Sequence, residues 1–187
     1  MTENAKKLGE KLKKFRKQTG YTLKESAEKL EVSTAFLSMV ENGKSGISFA
    51  NIHKILNIYG KNLGDLTGDT VCKESIVNLN LSKTIASEPG IIIYGLASTN
   101  TSGQGYMAGF ILDIEPGMAN TYDAHSGLEF VLVLEGEILL TVEEQEKVTE
   151  TPLKAGDTEV HFAQNRHIYQ NIGDTHAKVL VVEAVTQ

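Results

Sequence analysis

The chain has 187 residues, 41% hydrophobic and 22% charged, and a formal net charge of −6. That length suffices for one large domain or two small ones. No apolar run approaches membrane-spanning length, and the first residues, "MTENAKKLGEKLKK", carry no signal-peptide apolar region. A single cysteine, Cys72, excludes an intrachain disulfide, so a cytoplasmic, reducing location and no membrane partner are expected. The net charge hides an asymmetry. Residues 1–70 hold 12 Lys/Arg against 8 Asp/Glu, whereas residues 71–187 hold 6 against 16. A basic N-terminal piece joined to an acidic C-terminal piece implies that only the first meets a polyanion.

Residues 5 to about 67 read as helices. Leu8, Leu12 and Phe15 are spaced i, i+4, i+7, and Gly20 follows as a stop. "TLKESAEKL" opens on Thr22 as N-cap with Glu25 three residues on, a capping box, and places Leu23, Ala27 and Leu30 on one face. "STAFLSMVENG" starts from Ser33 as N-cap, aligns Leu37 with Val40 and ends at Gly43. "SFANIHKILNIYG" repeats the design with Ile52, Ile55, Leu56 and Tyr59, and a last short helix covers Leu63 to Leu66.

After residue 75 the period changes. "SIVNLNLS", "GIIIYGLAS", "YMAGFILDIEPG", "LEFVLVLEGEILLTVEE", "DTEVHFA" and "AKVLVVEAV" are short β-branched runs separated by Gly, Pro, Asn or Asp. Many short strands with no helix between them indicate an antiparallel sandwich or barrel. The expected division is 1–68 for the helical domain, 69–84 for a linker and first strand, and 85–187 for the β domain.

The pair "TLKESAEKL-EV-STAFLSMVENG" has helix-turn-helix dimensions, with Ala27 small enough for close packing. Residues 6–67 resemble the phage-repressor-like (XRE-type) helix-turn-helix family, and "LSMVENGKS" is similar to its L-S-x-[IV]-E-x-G-x-S. Glu31 departs from the family's turn glycine, which has positive φ, so strain of roughly 1 kcal/mol is expected there. The resemblance implies double-stranded DNA as partner, with the second helix, Ser33 to Glu41, in the major groove. Leu37 and Val40 point inward, leaving Thr34, Ala35, Ser38 and Met39, with Ser33 at the helix start, as candidates for base contact. These are poor bidentate readers, so thymine-methyl contacts and shape readout are favoured over guanine recognition. Thr22, Lys24, Asn42 and Lys44 are the implied phosphate contacts.

The stretch "YDAHSGLEFVLVLEGE", Tyr122 to Glu137, holds the chemistry of the second half. On a strand, Asp123, His125, Glu129, Val131 and Val133 face one way and Leu128, Phe130, Leu132 and Leu134 the other. Both faces are apolar beyond Glu129, as expected of a strand buried between two sheets. A carboxylate and an imidazole on one interior face are costly unless paired. Downstream, "AGDTEVHFAQNRHIYQN" supplies Gly156, His167 and Asn171.

Together the two segments resemble the paired motifs of the cupin family, a jelly-roll barrel. G-x5-H-x-H-x3-E-x6-G reads Gly117, Asp123, His125, Glu129, Gly136, and G-x5-P-x-G-x2-H-x3-N reads Gly156, Phe162, Gln164, His167, Asn171. Asp123 replaces the first histidine, and Phe162 and Gln164 replace the turn proline and glycine. The resemblance implies metal ligands His125, Glu129 and His167, a set suited to Fe(II), Mn, Ni or Zn. Asp123 takes the fourth place, where it could coordinate, hold a water or hydrogen-bond a histidine. His53, His161 and His176 have no partner at metal spacing and are expected on the surface or a helix face. Tyr94, Tyr106 and Tyr169 are candidates to line an effector pocket. No Ser/His/Asp arrangement, phosphate-binding glycine loop or CxxC pair is present, so no catalytic residue is assigned.

The expected fold is thus an all-α helix-turn-helix bundle followed by an all-β cupin domain. The chain resembles helix-turn-helix/cupin transcriptional regulators along nearly its whole length. That resemblance implies a homodimer joined through the cupin domain, which senses a small-molecule effector or metal. An alternative is a mononuclear non-haem iron oxygenase or epoxidase acting on hydroxyalkyl phosphonates, a class with the same two-domain layout.

Overall fold

The computed structural model describes residues 3–67, 83–100 and 105–186. Five helices come first: α1 Glu3–Thr19, α2 Leu23–Lys29, α3 Thr34–Glu41, α4 Phe49–Ile58 and α5 Leu63–Thr67. Caps set their boundaries. The Thr22 hydroxyl accepts from Glu25 N while the Glu25 carboxylate accepts from Thr22 N, closing the capping box at α2. Ser33 and Ser48 cap α3 and α4 in the same way, accepting from Phe36 N and Asn51 N. Gly43 ends α3 with φ +66, and a Cβ there would lie 2.6 Å from Lys6 Cα, so α1 and α3 meet closely only because the residue is glycine. Glu31 adopts φ 57, the left-handed conformation expected of the turn position it occupies.

Leu12, Leu30, Leu37, Val40, Ile52, Ile55 and Leu56 fill the helical core. Beside it runs a buried ion pair. Arg16 Nε and Nη2 donate to the two oxygens of Glu41 at 2.6 and 2.8 Å, and Nη1 donates to Tyr21 O at 3.0 Å. The Glu41 hydrogen bonds hold the Arg16 pKa above its ordinary value.

The β domain has nine described strands: β1 Lys83–Glu88, β2 Ile91–Asn100, β3 Gly105–Ile114, β4 Leu128–Glu135, β5 Glu137–Glu144, β6 Lys147–Lys154, β7 Thr158–Phe162, β8 Arg166–Asn171 and β9 Ala177–Thr186. They form a six-stranded antiparallel sheet, β1-β2-β3-β9-β4-β7, facing a three-stranded one, β6-β5-β8. The helical region followed by an all-β domain agrees with the fold expected. Strands β1, β6 and β8 were not anticipated, and the expected strand over 75–82 lies outside the described residues.

One expectation for β4 needs correction. Glu129, Val131 and Val133 are buried, but Leu128, Phe130 and Leu134 on the other face are exposed, so β4 is covered on one side only within a single chain. The two domains share one continuous core: Phe49 at the start of α4 stacks against Phe110 of β3, ring centroids 4.6 Å apart. That packing brings α4 to the mouth of the barrel.

Candidate metal centre and nucleic-acid interface

Strand pairing brings the inward-facing polar residues together. Glu129 on β4 stands opposite His161 on β7 and Glu183 on β9, and Asp123 bridges to His167 of β8 through paired backbone hydrogen bonds of 3.0 and 2.9 Å. His125 Nε2 lies 2.9 Å from Glu129 Oε1, and His167 Nε2 lies 3.4 Å from Glu129 Oε2. The other ring nitrogens face backbone carbonyls: His125 Nδ1 lies 3.2 Å from Ser126 O and His167 Nδ1 lies 2.9 Å from Asn165 O. Such contacts orient the two rings so that their Nε2 atoms face inward. Two donors about 2.1 Å from a shared ion are separated by about 3.0–3.4 Å at right-angled to tetrahedral geometry. The separations of 2.9 and 3.4 Å lie just below and at the upper end of that range, and the ligand atoms of His125, Glu129 and His167 all lie within 4.8 Å of one another.

Two further histidines enter the cluster, which corrects the expectation that His53 and His161 lie on the surface or a helix face without a partner at metal spacing. His161 is 7% exposed, with Nε2 at 3.4 Å from Glu129 Oε2 and Nδ1 at 2.7 Å from Glu159 Oε2. His53 is 5% exposed and comes from α4 of the helical domain. Its Nδ1 lies 2.5 Å from Asp123 Oδ2, and its ring sits 4.2 Å from that of His125. Its Nε2 lies 2.9 Å from Glu183 Oε1, yet out of line for a hydrogen bond. His176, by contrast, is an exposed partner of Asp113 on the barrel exterior.

The Asp123 oxygens are both engaged, Oδ2 by His53 and Oδ1 by Ala124 N at 2.8 Å. Glu183 is fully buried and accepts from Tyr106 OH at 2.9 Å. Tyr169 OH donates to Glu129 Oε2 at 2.5 Å. Tyr94 alternates with the buried Ile93 and does not line the cavity at the barrel mouth.

Burial alone would depress the imidazole pKa values, but the surrounding carboxylates outweigh it. His53 is held well above its ordinary range by Glu183 and Asp123, and His125 and His161 are raised mainly through Glu129. Burial would raise Glu129, yet the hydrogen bond with His125 and the nearby His161 and His167 imidazoles hold it well below the usual carboxylate range. Burial, reinforced by the Glu129 charge, pushes Tyr169 well above its ordinary value, so the phenol stays a donor. A buried set of four imidazoles and three carboxylates is costly in a low-dielectric interior unless protons or cations neutralise it. Among the described residues, His53 Nε2, His161 Nε2 and Glu183 Oε1 have no hydrogen-bond partner. Imidazole and carboxylate donors with unsatisfied inward atoms fit a divalent transition metal.

A cavity of about 220 Å3 opens beside the cluster, between α4–α5 and the barrel. His53, His125, Tyr106, Lys61, Asn57 and Asn62 are among its walls.

In the helical domain, α3 presents Ser33, Thr34, Ala35 and Met39 to solvent, with Ser38 partly covered and Leu37 and Val40 buried. Thr22, Lys24, Asn42 and Lys44 are exposed at the flanking helix ends and loop. Asn42 Nδ2 donates to Ser38 O at 2.7 Å, holding its amide at the end of α3.

His53 and Glu183 each carried a readable signal: a polar side chain within the apolar stripe of a helix, and a lone carboxylate inside "VLVVEAV". His161 alternates with the outward-facing Val160 and Phe162, which marks it as inward once β7 is paired.

Comparison with known proteins agrees with the domain order. Residues 12–66 match the family described as Helix-turn-helix, and residues 110–183 match the family described as Cupin domain. Over 79 residues the chain is 38% identical to the HTH-type transcriptional regulator ImmR of Bacillus subtilis (strain 168), covering 42% of this chain and 61% of that relative's length. The HTH_3 family transcriptional regulator from Vibrio cholerae superposes with a TM-score of 0.65 at 19% identity, covering 96% of each chain, a likeness of fold. The hydroxypropylphosphonic acid epoxidase from S. wedmorenis gives a TM-score of 0.49 at 20% identity over 96% of this chain and 97% of that one, too distant to carry an argument. The chain thus carries a helix-turn-helix domain of the XRE type over residues 12–66, followed by a cupin domain over residues 110–183.

Proposed function

We propose that the protein is a sequence-specific DNA-binding transcriptional regulator whose cupin domain binds a divalent metal, a small-molecule effector, or both. The observation that carries this reading is the exposed outer face of α3, Ser33, Thr34, Ala35 and Met39, on a well-capped helix whose inner face is closed by Leu37 and Val40. The basic charge of residues 1–70 and the regulator name of the Bacillus subtilis relative support it. Ser38, more covered, stands at the edge of the contact, and Thr22, Lys24, Asn42 and Lys44 contact phosphates. His125, Glu129 and His167 hold the metal, with Asp123 behind His53. A bound divalent ion supplies a Lewis-acidic centre at the cavity floor. The cavity beside it would accept the effector, with Tyr106 in its wall and Tyr169 hydrogen-bonded to Glu129.

The active form is a homodimer of cupin domains. Leu128, Phe130 and Leu134 of β4 and Val160 and Phe162 of β7 are each 39–59% exposed on one face of the sheet. A contiguous apolar face on an acidic barrel suits a second copy of the chain and not a polyanion. A two-fold axis there sets the two α3 helices for successive major grooves.

Binding to duplex DNA from upstream of the protein's own gene, followed by fluorescence anisotropy against salt, tests the reading. Affinity that falls steeply with salt is expected, and no binding at low salt contradicts it. The second reading is a mononuclear iron enzyme, favoured by the same ligand set and by Lys61, a cation in the cavity wall. Oxygen or peroxide consumption with Fe(II) and a hydroxyalkyl phosphonate tests it, and silence under those conditions removes it.

A further inference from the structure

We propose that His53, on α4 of the helical domain, is itself a ligand of the barrel metal, so that the metal ties the two domains together. The proposal rests on the reading of the barrel as a divalent-metal site and extends it across the domain boundary.

Three observations carry it. First, the two ring nitrogens of His53 are in different situations. Nδ1 is engaged at 2.5 Å by Asp123 Oδ2, while Nε2 is buried and has no hydrogen-bond partner among the described residues. That is how carboxylates orient metal-bound imidazoles: the far nitrogen is held and the near one is presented. Secondly, Nε2 is presented toward other donors. It lies 2.9 Å from Glu183 Oε1, which lies 3.4 Å from His125 Nε2, which lies 2.9 Å from Glu129 Oε1. Glu183 Oε1 is likewise without a hydrogen bond. The run of donors from His53 through Glu183 and His125 to Glu129 has pairwise spacings of 2.9–3.4 Å, and His125 belongs both to a group with His53 and Asp123 and to one with Glu129 and His167, the ligand atoms of each lying within 4.8 Å of one another. Thirdly, α4 is fixed in that position by apolar packing. Phe49, one turn before His53, lies against both the His53 ring at 4.5 Å and Phe110 of β3 at 4.6 Å. Mixed imidazole and carboxylate donors select first-row divalent ions such as Zn(II), Co(II), Mn(II), Ni(II) or Fe(II).

Asp123 acquires a role from this arrangement. With one oxygen on His53 Nδ1 and the other on Ala124 N, it positions the helical domain's imidazole where the cupin motif has a histidine of its own. The helical domain thereby supplies the nitrogen donor that Asp123 lacks.

The experiment uses the full chain, stripped with chelator and titrated with Co(II) and Zn(II). Binding is read by calorimetry and by the Co(II) d–d spectrum, for wild type, His53→Gln, His53→Ala and the exposed control His176→Ala. Wild type and His176→Ala are expected to bind with the same spectrum. The His53 variants are expected to bind at least 10-fold more weakly, with an altered Co(II) spectrum. Histidine-resolved 15N spectra of wild type give an answer that survives a misfolded variant: His53 Nε2 shifts on Zn(II) addition. Wild-type affinity and spectrum in a folded His53→Gln, or a His53 Nε2 resonance unmoved by Zn(II), overturns the proposal and leaves the barrel site standing. Absence of Co(II) and Zn(II) binding in wild type overturns both.

Discussion

Glu31 and Arg16 illustrate how single residues set the stability of the helical domain. Glu31 holds φ 57, a conformation that costs an L-residue roughly 1–2 kcal/mol. Glu31→Gly removes the strain at some cost in unfolded-state entropy, so a net stabilisation of about 0.5–1 kcal/mol is expected in urea titrations. The Arg16–Glu41 pair works in the other direction. Glu41 is 3% exposed, and removing it strands a mostly buried guanidinium. Glu41→Ala is expected to destabilise by roughly 3–5 kcal/mol, seen as a lowered urea midpoint. In the barrel, excess Zn(II) or Mn(II) at about 100 times Kd adds about 2.7 kcal/mol to stability. His125→Ala is expected to abolish that rise in melting temperature, and equal shifts in wild type and variant would contradict the site. At this scale, the resemblance to the paired cupin motifs pointed to His125, Glu129 and His167, whose ligand atoms lie within 4.8 Å of one another. It could not reveal His53, because its partner Asp123 is 70 residues away and only the seating of α4 on the barrel unites them.

Among elements, α3 and β4 carry the surfaces proposed to meet DNA and a second copy of the chain. The outer face of α3 is short and weakly hydrogen-bonding, so phosphate contacts by its neighbours dominate affinity. Lys44→Ala is expected to weaken DNA binding about equally across sequences and to reduce the salt slope by about 1. A change confined to one DNA sequence would instead make Lys44 a base reader. The helices were legible because caps and apolar stripes agree: Thr22, Ser33 and Ser48 all accept hydrogen bonds where a helix begins. Strands β1, β6 and β8 were not. β6, "KVTETPLK", is an edge strand with Leu153 as its one buried residue, and its Pro152 cannot donate to a ladder. β8, "RHIYQN", spends its inward positions on His167, Tyr169 and Asn171 instead of on aliphatic residues. The outer face of β4 was misjudged for a related reason: an apolar stripe shows that a surface is to be covered, and not whether the cover comes from the same chain.

For the whole molecule, coupling between barrel and DNA requires a dimer whose geometry depends on what the barrel holds. Phe130→Lys together with Phe162→Glu places charge on the exposed apolar face while leaving the inward residues intact. A shift from dimer to monomer in sedimentation is expected, and an unchanged dimer would move the interface elsewhere. The helices sit on the barrel through Phe49 and Phe110, and His53 reaches into the cluster from α4. A ligand can change DNA affinity only by its differential binding to the two arrangements, commonly 5- to 150-fold. The most direct measurement is therefore the affinity of the full-length protein for duplex DNA upstream of its own gene, stripped of metal and then saturated with Zn(II) or Mn(II), at one fixed salt concentration. The account predicts tight binding in one of the two states and a change of at least 5-fold between them. Identical affinities in both states, or no binding in either, would contradict it.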